Sequence, residues 1–270
     1  MCIVLPDFEM IQRRIPGEEP IRIYPIADVH LGASEHMERE WSQFCIDILK
    51  DPRAYIILDG DLMNNALKNS LSNVYEETIR PREQKRIITE MLTPLRERIL
   101  CAVTGNHERR TARDADSDPT YDIMCKLDLE ELYRYNIAFL KIQLGQQTYE
   151  NGKRVHADKR PSYCFAVIHG HGGGLLTGGG VNKFERFAYV VDGVDALIVG
   201  HTHKPWVTQP AKIRVDVRNN TVTTVPFKVI SATSWLKYGG YATQKMLLPS
   251  SHAKQVITLS GYKKEIRVEM

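Results

Sequence analysis

Cysteine is scarce and unpatterned in this 270-residue chain: Cys2, Cys45, Cys101, Cys125 and Cys164 are odd in number, widely spaced, and form no Cys-x-x-Cys pair. That excludes a disulfide framework and a thiolate zinc site. It points instead to small, buried side chains in a reducing, cytoplasmic compartment. Long apolar runs are also missing. No stretch approaches the ~18 residues that mark a membrane span, and the opening Met-Cys-Ile-Val-Leu-Pro-Asp-Phe-Glu meets acids too early for a secretory signal. No membrane partner is expected. Charge of one sign is not in excess: 36 Lys and Arg stand against 33 Asp and Glu, a net +3. An acidic solvating protein and a uniformly basic nucleic-acid binder are thereby excluded, but not a local basic surface. The sequence has no Walker A or dinucleotide fingerprint. It also lacks a Gly-x-Ser-x-Gly elbow, so His171-Gly-Gly-Gly174, although like a lipase oxyanion loop, does not indicate a serine hydrolase.

What is present is an alternation of short apolar strands and amphipathic helices. Strands are expected at 21–27, 54–58, 99–103, 138–144, 163–168 and 196–199, with helices at 35–50, 82–98, 119–133 and 182–191. Asp118 reads as the N-cap of the third helix. The later part is β-rich, with period-2 or β-branched runs at 212–217, 221–230, 255–259 and 265–268 and a turn at Asn219-Asn220. No repeat or Pro/Ser-rich linker divides the chain, so residues 1–270 read as one domain. Alternation first and antiparallel strands later predict an α/β fold of two stacked sheets with helices outside.

Polar clusters follow these strands directly. Strand ends are rigid, and the loops beyond them are free to carry function. Asp28, His30, Asp61, Asn106, His107, His169, His201 and His203 all lie at such ends, and five of the nine histidines fall in only three clusters. One histidine alone would most simply be a satisfied core side chain; the set together points to metal ligation. Imidazole and carboxylate without thiolate suit Mn, Fe, Zn, Co or Ni better than Ca. Asp-x-His and His-x-His place residues i and i+2 on one side of an extended strand end. Eight candidates are too many for one ion and suit two. Two divalent ions about 3.5–4 Å apart would share a carboxylate and clamp a phosphoryl group for in-line attack.

The ordered set Asp28-Val-His30, Gly60-Asp61, Gly105-Asn106-His107-Glu108, His169 and Gly200-His201-Thr202-His203 resembles the calcineurin-like metallophosphoesterase superfamily over residues 21–204. The resemblance implies a two-sheet β-sandwich flanked by helices. It implies Asp28, His30 and His203 on one metal, Asn106, His169 and His201 on the other, and Asp61 bridging both. His107 would contact the phosphate or protonate the leaving oxygen; an imidazole with a pKa near ~6.5 suits proton transfer, and the acid and electrostatic roles stay open. Local wording is closest to DNA-repair nucleases of the Mre11/SbcD type. Two positions depart from that type: Asn64 where those nucleases carry histidine, and Glu108 where they carry aspartate. The Asp-Arg-Gly of protein phosphatases is absent, since the chain reads Leu62-Met63-Asn64-Asn65. The His169-x-His171 pair also lacks the Asp-His continuation of a metallo-β-lactamase site.

Further expectations attach to the neighbours of these motifs. Gly170 to Gly180 holds seven of the eighteen glycines and reads as a loop approaching phosphate. Arg109, Lys204, His171 and Asn64 are expected to face the substrate, with Arg110 as a further cation beside the site. Residues 65–85 read as a cap insertion, and Tyr75, Tyr121, Trp206 and Tyr238 could stack on bases, although each taken singly reads first as a partial core aromatic. The function expected is hydrolysis of a phosphodiester, in nucleic acid or a nucleotide, by a hydroxide bridging two divalent ions, with Mn foremost. The alternatives are a phosphomonoesterase acting on a nucleotide or phosphoprotein, and an inactive metal-binding scaffold.

Overall fold

A computed structural model describes residues 8–68, 70, 74–145, 148–150, 153–155, 160–174 and 176–270. Two mixed six-stranded sheets with flanking helices form an α/β fold. The first sheet runs, in spatial order, Met10–Ile15, Ala138–Leu144, Ser162–Ile168, Ala196–Val199, Lys228–Ser231 and Trp206–Thr208. The second runs Ile266–Glu269, Val256–Leu259, Ile21–Ile26, Ala54–Asp59, Ile99–Val103 and Tyr133–Arg134. The last four of these are mutually parallel, as are Ser162–Ile168, Ala196–Val199 and Lys228–Ser231. Parallel neighbours send their C-terminal ends to the same edge, and that is where the polar clusters lie.

Alternation explains which faces meet. Along Ala138–Leu144 every second residue is buried, and Ala138, Leu140, Ile142 and Leu144 join Ile23, Ile56, Leu58 and Ile99 from the other sheet in one core. A second core lies outside the first sheet, where Phe184 and Ala188 of helix Thr177–Val190 cover Leu197, Val199 and Val229. Helix Glu38–Lys50 buries Trp41, Cys45 and Ile48. The four described cysteines outside position 2 are free, with Cys45 and Cys101 buried; Cys2 and the opening residues 1–7 lie outside the described residues. Among the described residues, no helix is long and apolar enough to cross a membrane.

Several elements differ from the expected boundaries for identifiable reasons. The helix expected at 35–50 starts at Glu38, because His36 closes a turn onto Ala33 and Met37 donates its N–H to Trp235. The one expected at 82–98 is α-helical only over Pro81–Leu92, and Pro94, lacking an N–H, sits in the 3-10 stretch that follows. The 119–133 helix stops at Lys126; Asp128, at φ 55°, turns the chain away. Asp118 does cap it, accepting the N–H groups of Thr120 and Tyr121. The 221–230 run is two strands in different sheets, separated at Phe227 after the non-donating Pro226. Strand Met10–Ile15 and helix Glu108–Ala115 were not expected at all.

The glycine run also changes character. Its last residues form the first turn of helix Thr177–Val190, and at Gly180 a Cβ would stand 3.1 Å from Thr202 Cγ2, so this turn packs tightly against the loop of His201 and His203. Of the 65–85 segment, residues 69 and 71–73 lie outside the described residues; Val74–Glu76 is a 3-10 turn and helix Pro81–Leu92 follows.

Trp235 ties the fold to the strand ends. It is buried at 5.0 Å from the ring centres of both Trp41 and Phe44, and its N–H donates to Asp28 O at 3.0 Å. Trp235→Ala is therefore expected to lower stability by about 3–5 kcal/mol, read as a shifted midpoint in urea denaturation. A loss below about 1 kcal/mol would contradict this packing account.

Candidate metal centre

Five strands from both sheets deliver the site. Asp28 and His30 follow Ile21–Ile26, Asp61 follows Ala54–Asp59, and Asn106 and His107 follow Ile99–Val103. His169 follows Ser162–Ile168, and His201 and His203 follow Ala196–Val199. Asp28, His30, Asp61, His201 and His203 all have left-handed backbone, with φ between 48° and 66°. Such conformations cost non-glycine residues about 1–3 kcal/mol each and persist only where surroundings dictate them. Here the surroundings are a second set of backbone hydrogen bonds beyond the sheet. Asp28 N–H donates to Gly60 O, His30 N–H to Asp61 O, and Leu31 N–H to Leu62 O, at 3.0–3.1 Å. Close approach also requires glycine: a Cβ on Gly60 would lie 2.5 Å from Gly105 Cα.

The side chains converge in interlocking groups. Asp28, His30 and His203 form one, and Asp61, His169 and His201 another; His30, Asp61 and His107 link them. His203 Nε2 is 3.2 Å from Asp28 Oδ1 and 3.2 Å from His30 Nε2. His169 Nε2 is 3.2 Å from Asp61 Oδ2 and 3.9 Å from Asp28 Oδ1. Asn106 Oδ1 lies 2.6 Å from His201 Nδ1 and 3.2 Å from His169 Nε2, joining the second group. Tautomers are set from outside the cluster. His169 Nδ1–H donates to Asp59 O at 2.6 Å, which turns Nε2 inward.

The donor set fits divalent cations. Asp28 and Asp61 are buried, and Asp28 Oδ1 has no hydrogen-bond partner. Burial opposes ionisation of both carboxyls, yet His203 beside Asp28 and His169 beside Asp61 hold them below the usual carboxylate range. Two buried anions and an orphaned oxygen facing inward-turned imidazole nitrogens are what a transition metal ion would satisfy. Burial pushes the Asp59 carboxyl well above the ordinary range, with Asp28 and Asp61 adding to the shift. Exposure is uneven across the cluster: Asp28, His30, Asp61 and His169 are buried, whereas Asn106, His107, His201 and His203 are partly exposed, the His203 side chain at 36% and that of His107 at 14%. A substrate would meet the partly exposed members first.

The flanking residues depart from expectation. His107 lies at the cluster, its Nδ1–H donating to Asn64 O at 2.6 Å and its Nε2 3.8 Å from Asp61 Oδ2; burial pushes its pKa down to about 3. Asn64 contributes that carbonyl, whereas its side-chain amide donates to Glu77 rather than facing a substrate. Arg109 turns away altogether: its guanidinium donates to the carbonyls of Thr104 and Tyr135 and lies over the Tyr135 ring. Adjacency in sequence failed there because helix Glu108–Ala115 rotates successive side chains apart. Arg110 instead reaches Asn64 O at 3.3 Å. Lys204 Nζ donates to Gly174 O at 3.2 Å. His171 is exposed and belongs to none of the three groups. Trp206 is a core residue stacked on Phe184, so it offers no face to a base.

Two supports were invisible beforehand. Glu108 is fully buried and accepts the N–H of Asp61 at 3.0 Å and of Met63 at 2.9 Å. Burial and the neighbouring Asp61 raise its pKa to about 8. Asn65, left-handed at φ 47°, donates its side-chain amide to His107 O at 2.7 Å. The only sequence signals were Glu108 closing the Gly-Asn-His cluster and an Asn-Asn pair three residues after Asp61.

The calcineurin-like phosphoesterase family model matches residues 21–205. The chain belongs to that family. It is accordingly a metal-dependent hydrolase acting on phosphate esters, and its His/Asp groups could hold the two ions on which the family depends. Among curated proteins none matches. Solved structures give distant likenesses. One is a conserved uncharacterized protein, a predicted phosphoesterase, from Streptococcus pneumoniae TIGR4, at 11% identity over 94% of this chain and 99% of that one, TM-score 0.36. Another is the Haemophilus influenzae NAD nucleotidase NadN, at 8% identity over 93% of this chain and 49% of that one, TM-score 0.37. A metallophosphoesterase from Sphaerobacter thermophilus is 11% identical over 92% and 90%, TM-score 0.35. At these scores no argument is taken from them.

Removing the Glu108 carboxylate leaves the Asp61 and Met63 amides without acceptors, a penalty of about 1–3 kcal/mol each. Glu108→Ala should lower thermal stability and weaken divalent-metal binding by about 10–100-fold, checked by calorimetry and metal titration. Unchanged metal affinity would contradict a positioning role.

Proposed function

We propose that the chain is a dinuclear phosphodiesterase acting on nucleic acid or a nucleotide. Asp28, His30 and His203 would hold one divalent ion, Asn106, His169 and His201 the other, and Asp61 both. The observation that carries this reading is the interlocking of the three His/Asp groups around shared Asp61 and His30. Mn is the ion we assign first, from the mixed carboxylate–imidazole donors, ahead of Fe, Zn, Co or Ni. When bound, two such ions supply positive charge to the phosphoryl oxygens and acidify a water for attack on phosphorus.

The protein's own groups have separate tasks. Asn64 O holds His107 Nδ1–H and leaves Nε2 at the cluster, 3.8 Å from Asp61 Oδ2, where, once protonated, it can donate to a phosphate or leaving-group oxygen. Glu108 holds the Asp61 backbone, and through it the carboxylate shared between the groups. Residues 65–85, within what we read as one domain, act as a cap anchored at Glu77, which accepts from Asn64 Nδ2 and the Ala66 N–H. A diester is favoured over a monoester because it brings a smaller negative charge, and Arg109, one of the cations expected to meet it, is engaged with backbone carbonyls elsewhere. The motif resemblance to Mre11/SbcD-type nucleases supports the same choice. Free, buried Cys45 and Cys101 fit a cytoplasmic setting.

With Mn added, bis-p-nitrophenyl phosphate and single-stranded DNA should be cleaved faster than p-nitrophenyl phosphate. Asp61→Asn should abolish turnover and His107→Ala should lower kcat by about 10²–10⁴-fold. Cleavage of the monoester alone would refute the diester assignment. No cleavage of any of the three above the Asp61→Asn background would favour a metal-binding scaffold.

A further inference from the structure

The loops that carry His169 and His201/His203 do more than present ligands. Leu176 and Thr177, beyond the first, and Lys204 and Pro205, directly beyond the second, form two walls of a cavity of about 230 Å³. Residues 248–251 of the C-terminal segment close the third side. The cavity therefore begins one residue past a side chain of the metal cluster, yet none of the clustered residues lines it. It adjoins the candidate centre without being part of it.

Its size and lining restrict what could enter. At about 30 Å³ per water the volume corresponds to roughly eight waters, enough for one ring-sized group and too little for a folded chain. Leu176, Leu248 and two prolines, Pro205 and Pro249, supply flat aliphatic surface. The polar residues of the lining are Thr177, Ser250, Ser251 and Lys204. No acid lines the cavity, and Lys204 is its one ionisable residue. Apolar walls with a few convergent polar groups are the usual make-up of a small-molecule subsite. Hydroxyls and an amine suit a planar ring edged with carbonyl oxygens and ring nitrogens. A single amine, already donating to Gly174 O, is a poor cradle for a second phosphate.

We propose that this cavity is a nucleobase subsite, taking the base of a nucleotide whose phosphate sits at the His/Asp cluster. A base is separated from its own phosphate by a sugar, so a cavity adjoining but distinct from the cluster meets that spacing. The inference rests on the phosphodiesterase reading for its second half, but base binding itself does not require turnover or metal.

The test uses the full chain, ¹⁵N-labelled and without added metal, titrated with the uncharged nucleosides thymidine and adenosine. Saturable amide shifts are expected at Lys204, Leu248, Ser250 and Ser251, with affinity weakened about tenfold or more by Ser250→Trp, a change of about 1.4 kcal/mol. Leu248→Trp serves as the second variant, and each spectrum reports whether the variant is folded. Absence of saturable shifts at these residues, or equal affinity in both folded variants, overturns the proposal. A second arm compares thymidine 5′-(p-nitrophenyl phosphate) with ethyl p-nitrophenyl phosphate, which share a leaving group. Ser250→Trp should reduce kcat/KM for the nucleotide ester at least about fivefold more than for the ethyl ester, mainly through KM; equal losses count against the subsite. If the wild type cleaves neither ester while the nucleosides still bind at these residues, the phosphodiesterase reading falls and the base subsite stands.

Discussion

Two buried carboxylates that the fold brings to the same pair of imidazoles set the terms for everything around them. His30 Nε2 lies 3.7 Å from Asp28 Oδ1 and 3.9 Å from Asp61 Oδ2, and His169 Nε2 also lies within 3.9 Å of both. Bringing such anions out of water is expensive unless positive charge meets them. The surrounding structure keeps them there even so. It does so with left-handed backbone at five residues beyond three of the strands and with loop-to-loop hydrogen bonds that extend the pairing of Ile21–Ile26 with Ala54–Asp59. Small residues at Gly60 and Gly105 allow the loops to touch.

The architecture follows from that demand. Parallel strands from two sheets align their C-terminal ends on one edge, so residues more than 170 positions apart, such as His30 and His203, stand 3.2 Å apart. The apolar sandwich beneath supplies rigidity. Trp235 links it to the Asp28 carbonyl, and Glu108 links helix Glu108–Ala115 to the Asp61 loop. Strain at the strand ends is thus opposed by packing one layer below and by hydrogen bonds one residue away. Exposure falls on Asn106, His107, His201 and His203, where a phosphate ester can reach the cluster without opening the core.

Much of this was legible in the sequence. Strand-end polar clusters betray themselves because the preceding strands are nearly continuous apolar runs, and the ordered Asp, Asn and His motifs identify which ends converge. The two-sheet fold was legible for the same reason. What a sequence conceals is direction. Arg109 and Arg110 are adjacent and chemically alike, yet helix geometry sends one to Thr104 and Tyr135 and the other to Asn64. Asn64 matters at the cluster through its carbonyl, which any residue would offer, so its identity carried no signal. Trp206, after a polar motif, reads first as a core aromatic and second as a stacking surface for a base, and tertiary packing against Phe184 places it in the core. Glycines 178–180 read as loop, yet they form the first turn of helix Thr177–Val190, with Gly180 facing Thr202.

The central claim is that these strand ends build one shared site for two cations. The most direct measurement is the metal content of the purified chain after loading with Mn and removal of excess by gel filtration, determined by elemental mass spectrometry. The account predicts two ions per chain in the wild type and loss of both, rather than one, in Asp61→Asn. A wild-type stoichiometry of one or none, or a variant that still retains two, would contradict it.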